Sequence, residues 1–173
     1  MAGDERVLPQ PALLGLLLER PKHGYELYGE FHRELGRVWQ IGQSQLYAQL
    51  KLLEEAGLVA AHVEPQLSRP PRKVYHLTPQ GRTAFDEWVH RPSPSLRQMR
   101  VEFLARLYFF ERLSLAGLDR LVAGQRAVCR DQLEQFARLA AESGDPFRRL
   151  VWEFRCGQLE AALRWLDRCL EVL

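Results

Sequence analysis

At Gly57 the hydrophobic period of the chain changes. Before it, Leu46, Leu50 and Leu53 recur at helical spacing; after it, in LVAAHVE (58–64), Val59, Ala61 and Val63 alternate with their neighbours. A period of 3.6 buries one stripe of a helix, whereas a period of 2 buries one face of a strand. A second run, KVYHL (73–77), sets Tyr75 and Leu77 against Lys73, Val74 and His76. Pro65 to Arg72 connect the two runs, with Pro65, Pro70 and Pro71 among them. The pair reads as a β-hairpin with a long, basic, proline-stiffened tip, and a pairing of 64 with 74 would set His62 opposite His76.

Helices flank the hairpin. Pro11 opens ALLGLLLER (12–20) and Pro21 stops it. A second helix runs from Gly24 to Leu35 with Leu27, Phe31 and Leu35 inward, and GRVWQIG (36–42) is a loop. The third spans about Gln43 to Ala56, and Gly57 ends it. Thr78-Pro79 supplies an N-cap and first helical position for a fourth, with Phe85, Trp88 and Val89 on one face. Three short helices, a hairpin and a helix are the order of a winged helix-turn-helix, here residues 1–90. RPSPSLRQ carries two prolines and two serines, making 91–99 a linker. Residues 100–173 are helical throughout, in stretches 101–113, 114–142 and 147–172, with Gly144-Asp145-Pro146 as a turn. The fold class is mainly α with one small β-hairpin.

Net charge is only +2, and residues 1–91 hold 11 charges of each sign, so any electrostatic footprint is local. Between Gly36 and Leu53 stand Arg37 and Lys51 with no acid; between Pro65 and Arg82 stand Arg69, Arg72, Lys73 and Arg82, again with none. Such patches match a phosphate backbone. Cys129, Cys156 and Cys169 lie in apolar-periodic stretches without metal spacing, as buried thiols of a reducing compartment would. No signal-like segment is seen and ALLGLLL (12–18) is too short to span a bilayer, so a cytoplasmic protein without membrane contact is expected. No phosphate loop, nucleophile elbow or metal motif points to an enzyme, and no cofactor is implied.

The third helix carries the readout chemistry. With its leucines inward, Ser44, Tyr47, Ala48 and Lys51 face out, flanked by Gln43, Gln45 and Gln49. Glutamine reads adenine edges, Lys51 reaches guanine or phosphate, Tyr47 donates to phosphate, and Ala48 permits close approach. Arg69, Arg72 and Lys73 at the hairpin tip supply cations for the backbone. The competing reading is a winged helix that binds protein, which would have no need of the acid-free stretches. Trp39 is expected as a hydrophobic lid.

The segments ALLGLLLERPKHGYEL (12–27), GQSQLYAQLKLLEEAGLV (42–59) and VYHLTPQGR (74–82) resemble the PadR family of bacterial transcriptional regulators, and RVEFLARLYF (100–109) resembles its subfamily with an extended C-terminal domain. The resemblance implies a homodimer, usually a repressor, on a palindromic double-stranded DNA operator. It implies an α-helical dimerisation domain, and an effector pocket for a small aromatic or hydrophobic molecule. Tyr25 and Tyr47 match the family's tyrosines and Lys51 its basic residue, whereas Ala48 stands where proline is common and Leu52 where a second base is frequent. The dimerisation positions are Phe103, Leu107, Phe110, Phe154, Leu159, Leu163, Leu166 and Leu170. A cross-strand His62–His76 pair would be a two-ligand metal site or a pH-sensitive element.

Overall fold

The computed structural model describes residues 7–64 and 72–173 and divides into two compact units, meeting in sequence between Val89 and His90. In the N-terminal unit the order is α1 (Gln10–Leu16), β1 (Lys22–His23), α2 (Gly24–Leu35), α3 (Gln43–Glu55), β2 (Val59–Glu64), β3 (Arg72–Leu77) and α4 (Pro79–Val89). Leu13 and Leu14 of α1, Leu27 and Phe31 of α2, Leu46, Leu50 and Leu53 of α3, and Phe85 of α4 are buried and form its core. Trp39 is buried too, its ring edge-on to Phe31, so the α2–α3 loop is closed by a lid as expected. A Schellman motif ends α3: Leu58 N donates to Leu53 O and Gly57 N to Glu54 O, with Gly57 at φ +70.

The sheet has three strands, not two, in the order β1-β3-β2, all antiparallel. A two-residue strand has no periodicity to read, which is why β1 escapes the pattern. It makes β3 the central strand and covers both its sides. Val74 is therefore buried together with Tyr75, where alternation had set Val74 with the polar residues. The β2–β3 register also differs from the expected one by two residues: His62 pairs with Val74, and Glu64 with Arg72. A slip of two keeps every side chain on its face, so the His62 and His76 rings still meet, diagonally, with centroids 4.9 Å apart. Val63 is exposed because the hairpin stem has already left the core there.

Thr78 joins the wing to the helices. Its hydroxyl accepts from Gly81 N at 3.0 Å, capping α4, and lies 2.8 and 3.0 Å from the carbonyls of Gly57 and Leu58. Leu58 O passes so close to Gly81 that a Cβ there would sit 2.0 Å away, so position 81 needs glycine.

The C-terminal unit runs through α5 (Leu96–Gln98), a π-helical turn (Met99–Phe103), α6 (Leu104–Arg112), α7 (Leu118–Glu142) and α8 (Pro146–Val172). The long helix begins four residues later than its periodicity suggests, because Ser114 and Gly117 take positive φ and form a turn. The antiparallel hairpin of α7 and α8 buries Leu121, Val122, Cys129, Leu159, Leu166 and Cys169.

Residues 91–98 belong to this unit and do not hang free. Ser93 is fully buried. Its Oγ lies 2.5 Å from a guanidinium nitrogen of Arg106, itself 2% exposed, which also donates to Glu102 at 2.8 Å. Burial brings the Arg106 pKa down to about 10 against the pull of Glu102, leaving it charged at neutral pH. Gln132 donates to Pro94 O, so the strap is tied along α7.

Candidate DNA-binding surface

α3 presents the predicted face. Leu46, Leu50 and Leu53 point inward, and Gln43, Ser44, Gln45, Tyr47, Ala48 and Lys51 are exposed. The helix begins at Gly42 without a side-chain cap, and its first turn holds no acid. The N–H groups of a helix start and the positive end of its dipole favour anions, so this end suits a phosphate-bearing partner. Gln49 departs from the pattern. It is half-buried, and its Oε1 has no hydrogen-bond partner among the described residues.

Beside α3 opens a cleft of about 540 Å³ lined by His23, Gly24, Tyr25, Glu26, Tyr47, Arg72 and Lys73. Its geometry depends on a missing side chain. A Cβ on Gly24 would fall 2.5 Å from Cε1 of Tyr47, so glycine at the start of α2 lets the α3 tyrosine lie against it. Tyr25, 75% exposed, stands on the lip. Glu26 is held below the ordinary carboxylate range mainly by its hydrogen bond from Arg20.

The wing cations are less free than a count of charges suggests. Lys73 donates to Glu54 of α3 at 2.5 Å, which raises the pKa of its ammonium, and lies 5.6 Å from the Tyr75 ring centre. Lys51 lies 3.6 Å from Glu55. The acid-free stretches of sequence are therefore not acid-free in space, because the end of α3 folds its two glutamates back toward the cations. Arg72 is exposed at the start of β3. Arg69 lies outside the described residues. His62 and His76 gain no third donor: among the described residues no cluster of three His, Cys, Asp or Glu could hold a metal.

One pair was missed from sequence. Lys22 is buried, its Nζ 2.9 and 3.0 Å from the Glu30 carboxylate oxygens, and it also donates to Leu16 O. Eight residues separate the partners across a strand–helix junction, and no local spacing announces such a contact.

The positions assigned to dimerisation fall into two groups. Phe103, Leu107, Phe110, Leu159 and Leu166 are buried within the single chain, and Leu163 is half-buried. Phe154 and Leu170 are exposed, as are Phe147 and Leu150. Aromatic side chains of this unit are largely spent on one another, as in Phe103 with Trp165 and Phe136 with Trp152. No helix among the described residues is long and apolar enough to cross a membrane.

Residues 13–87 match the Transcriptional regulator PadR-like family, and residues 99–173 match the Virulence activator alpha C-term family. Over 103 residues, 60% of the chain, it is 33% identical to the negative transcriptional regulator PadR of Bacillus subtilis. Over 89 residues, 51% of the chain, it is 34% identical to a probable transcriptional regulator of Mycobacterium tuberculosis. The chain spans 57% and 47% of the lengths of these two curated relatives. Among solved structures it is similar to Bacillus subtilis PadR in complex with operator DNA, with 26% identity and a TM-score of 0.51, covering 99% of this chain and 100% of that one. The fold, the HGYEL and QLYAQL segments that meet at Gly24 and Tyr47, and these matches agree: residues 13–87 form a domain of the PadR-like family of transcriptional regulators.

Proposed function

We propose that the protein is a sequence-specific DNA-binding transcriptional regulator, a repressor that grips a palindromic operator as a homodimer. The observation that carries this reading is the joining of an uncapped, acid-free α3 start to the cleft of Tyr25, Tyr47, Arg72 and Lys73. In it, Gln43, Ser44, Gln45 and Ala48 of α3 face base edges in the major groove. Tyrosine hydroxyls and wing cations, Arg69 included, take backbone phosphates, which fix register without reading sequence. Similarity to a PadR known with operator DNA, and to a negative regulator, supports both the partner and the sign of regulation.

Two half-sites on one face of DNA lie about 34 Å apart and need two copies of α3. For the dimer seam the exposed stripe Phe147, Leu150 and Phe154, at i, i+3 and i+7 of α8, is better placed than Leu159 or Leu166, which their own chain already covers. Release by a small aromatic or hydrophobic effector completes the reading. The test is selection of duplexes from a random pool. A palindromic consensus, released by small aromatic molecules and bound by a dimer, is the expected result; recovery of no consensus removes the reading.

A further inference from the structure

Operator binding leaves the Lys22–Glu30 pair without a use. Lys22 is only 2% exposed, although it lies in a short surface-connecting segment between α1 and α2. Side chain and backbone together, Lys22 ties three elements. It donates to Leu16 O at the end of α1, bridges both oxygens of Glu30 in α2, and lies 3.9 Å from Glu19; its backbone pairs with Tyr75 of β3. Taking two charges out of water is costly, and such a pair is often no more stabilising than apolar residues of the same size. Its best attested use is to choose one register among several.

The register chosen here has a clear beneficiary. One residue on, His23 pairs with Val74; the next, Gly24, begins α2 in contact with the Tyr47 ring; the next is Tyr25. Three of the residues lining the cleft thus follow directly from the place at which Lys22 is held. A shift of the junction moves the start of α2 relative to Tyr47, whose ring occupies the space a Cβ at Gly24 would take.

We propose that Lys22 and Glu30 are positioning residues for DNA: held together, they set the start of α2 against Tyr47 and so fix the phosphate-binding cleft. The inference rests on the operator-binding reading above. It is distinguished from a merely structural role by replacing both partners, Lys22→Met with Glu30→Leu, which removes the charges without leaving one of them unpaired.

The full chain and this variant are compared by melting temperature and by affinity for a duplex carrying the selected site, over a range of salt. The double variant is expected to melt within a few degrees of the parent or above it. Its affinity should fall tenfold or more, with a salt slope shallower by about one unit. Lys22→Arg, whose guanidinium can reach the same acceptors, should bind within about threefold of the parent. A folded double variant with the parent's affinity overturns the proposal. If the double variant does not fold, Glu30→Gln decides. Its lone buried ammonium should lower the melting temperature, so affinity is read well below that temperature: a loss of threefold to tenfold there supports the positioning role, and unchanged affinity overturns it. A parent chain that selects no DNA overturns the operator reading and this proposal together, whereas a parent that selects DNA and a double variant that matches it overturn the positioning role alone.

Discussion

Gln125 of α7 clasps the backbone of Ser93 with both ends of its amide: Oε1 accepts from Ser93 N at 2.6 Å, and Nε2 donates to Ser93 O at 3.0 Å. Both groups are buried and 32 residues apart in sequence. Gln125→Leu should therefore leave a peptide N–H and C=O unsatisfied and cost about 1–3 kcal/mol. Urea denaturation measures it, and limited proteolysis should begin to cut near residue 93.

Arg106 reaches the same serine through its hydroxyl. Arg106→Met removes the partner of Glu102 and should destabilise by about 3–5 kcal/mol, since a nearly buried carboxylate is left behind. Because Arg106 and Gln125 share Ser93, their losses should not add. A double variant that costs the sum of the single ones would show that the two contacts act independently.

Glu54 restrains the wing. Freeing Lys73 by Glu54→Gln should raise affinity for DNA a few-fold and steepen the salt slope by up to about one unit. The pair also has a pH signature. Its ammonium is held above the ordinary lysine value, so the contribution to stability is whole below that value and fades as pH rises through the folded one. Glu54→Gln should accordingly flatten the alkaline limb of a melting-temperature profile, an effect kept small by the pair's exposure to solvent.

Gly24→Ala tests the cleft. The added methyl meets the Tyr47 ring at 2.5 Å, and accommodating it should cost about 1–3 kcal/mol or displace the ring. Operator affinity should fall more than stability does. Equal affinity in titrations of parent and variant would show that Tyr47 need not sit where it does.

The seam proposed on α8 lies apart from the core of the C-terminal unit. Phe154→Glu, on the exposed stripe, should give a folded monomer by sedimentation and weaken binding to a palindrome. Leu166→Asp should instead unfold the α7–α8 hairpin, since that side chain is fully covered by its own chain.

The winged helix was legible because its parts are periodic or punctuated. Leu46, Leu50 and Leu53 repeat at helical spacing, Gly57 stops the helix, and Thr78-Pro79 starts the next. What escaped was held by partners distant in sequence. β1 is two residues whose pairing exists only because β3 is there. The hairpin register slipped by two because a proline-rich connection offers no turn type to count from. Ser93 read as linker chemistry, for serine between prolines looks like loop until Gln125 and Arg106 are seen to clasp it. The exposed residues of α3 follow the expected face apart from Gln49, yet the glutamates that temper its cations were counted apart from them, since sequence order does not show Glu54 beside Lys73.

The carbonyl of Leu58 receives Thr78 twice, from its backbone N–H and its hydroxyl, and blocks any side chain at Gly81. The end of α3, the wing and α4 thus share a single pinned root. Such a root stiffens the base of the wing against following a wider or narrower groove. Adjustment between partners would fall to the nucleic acid, and base pairs that the protein never touches would be selected for how readily they bend.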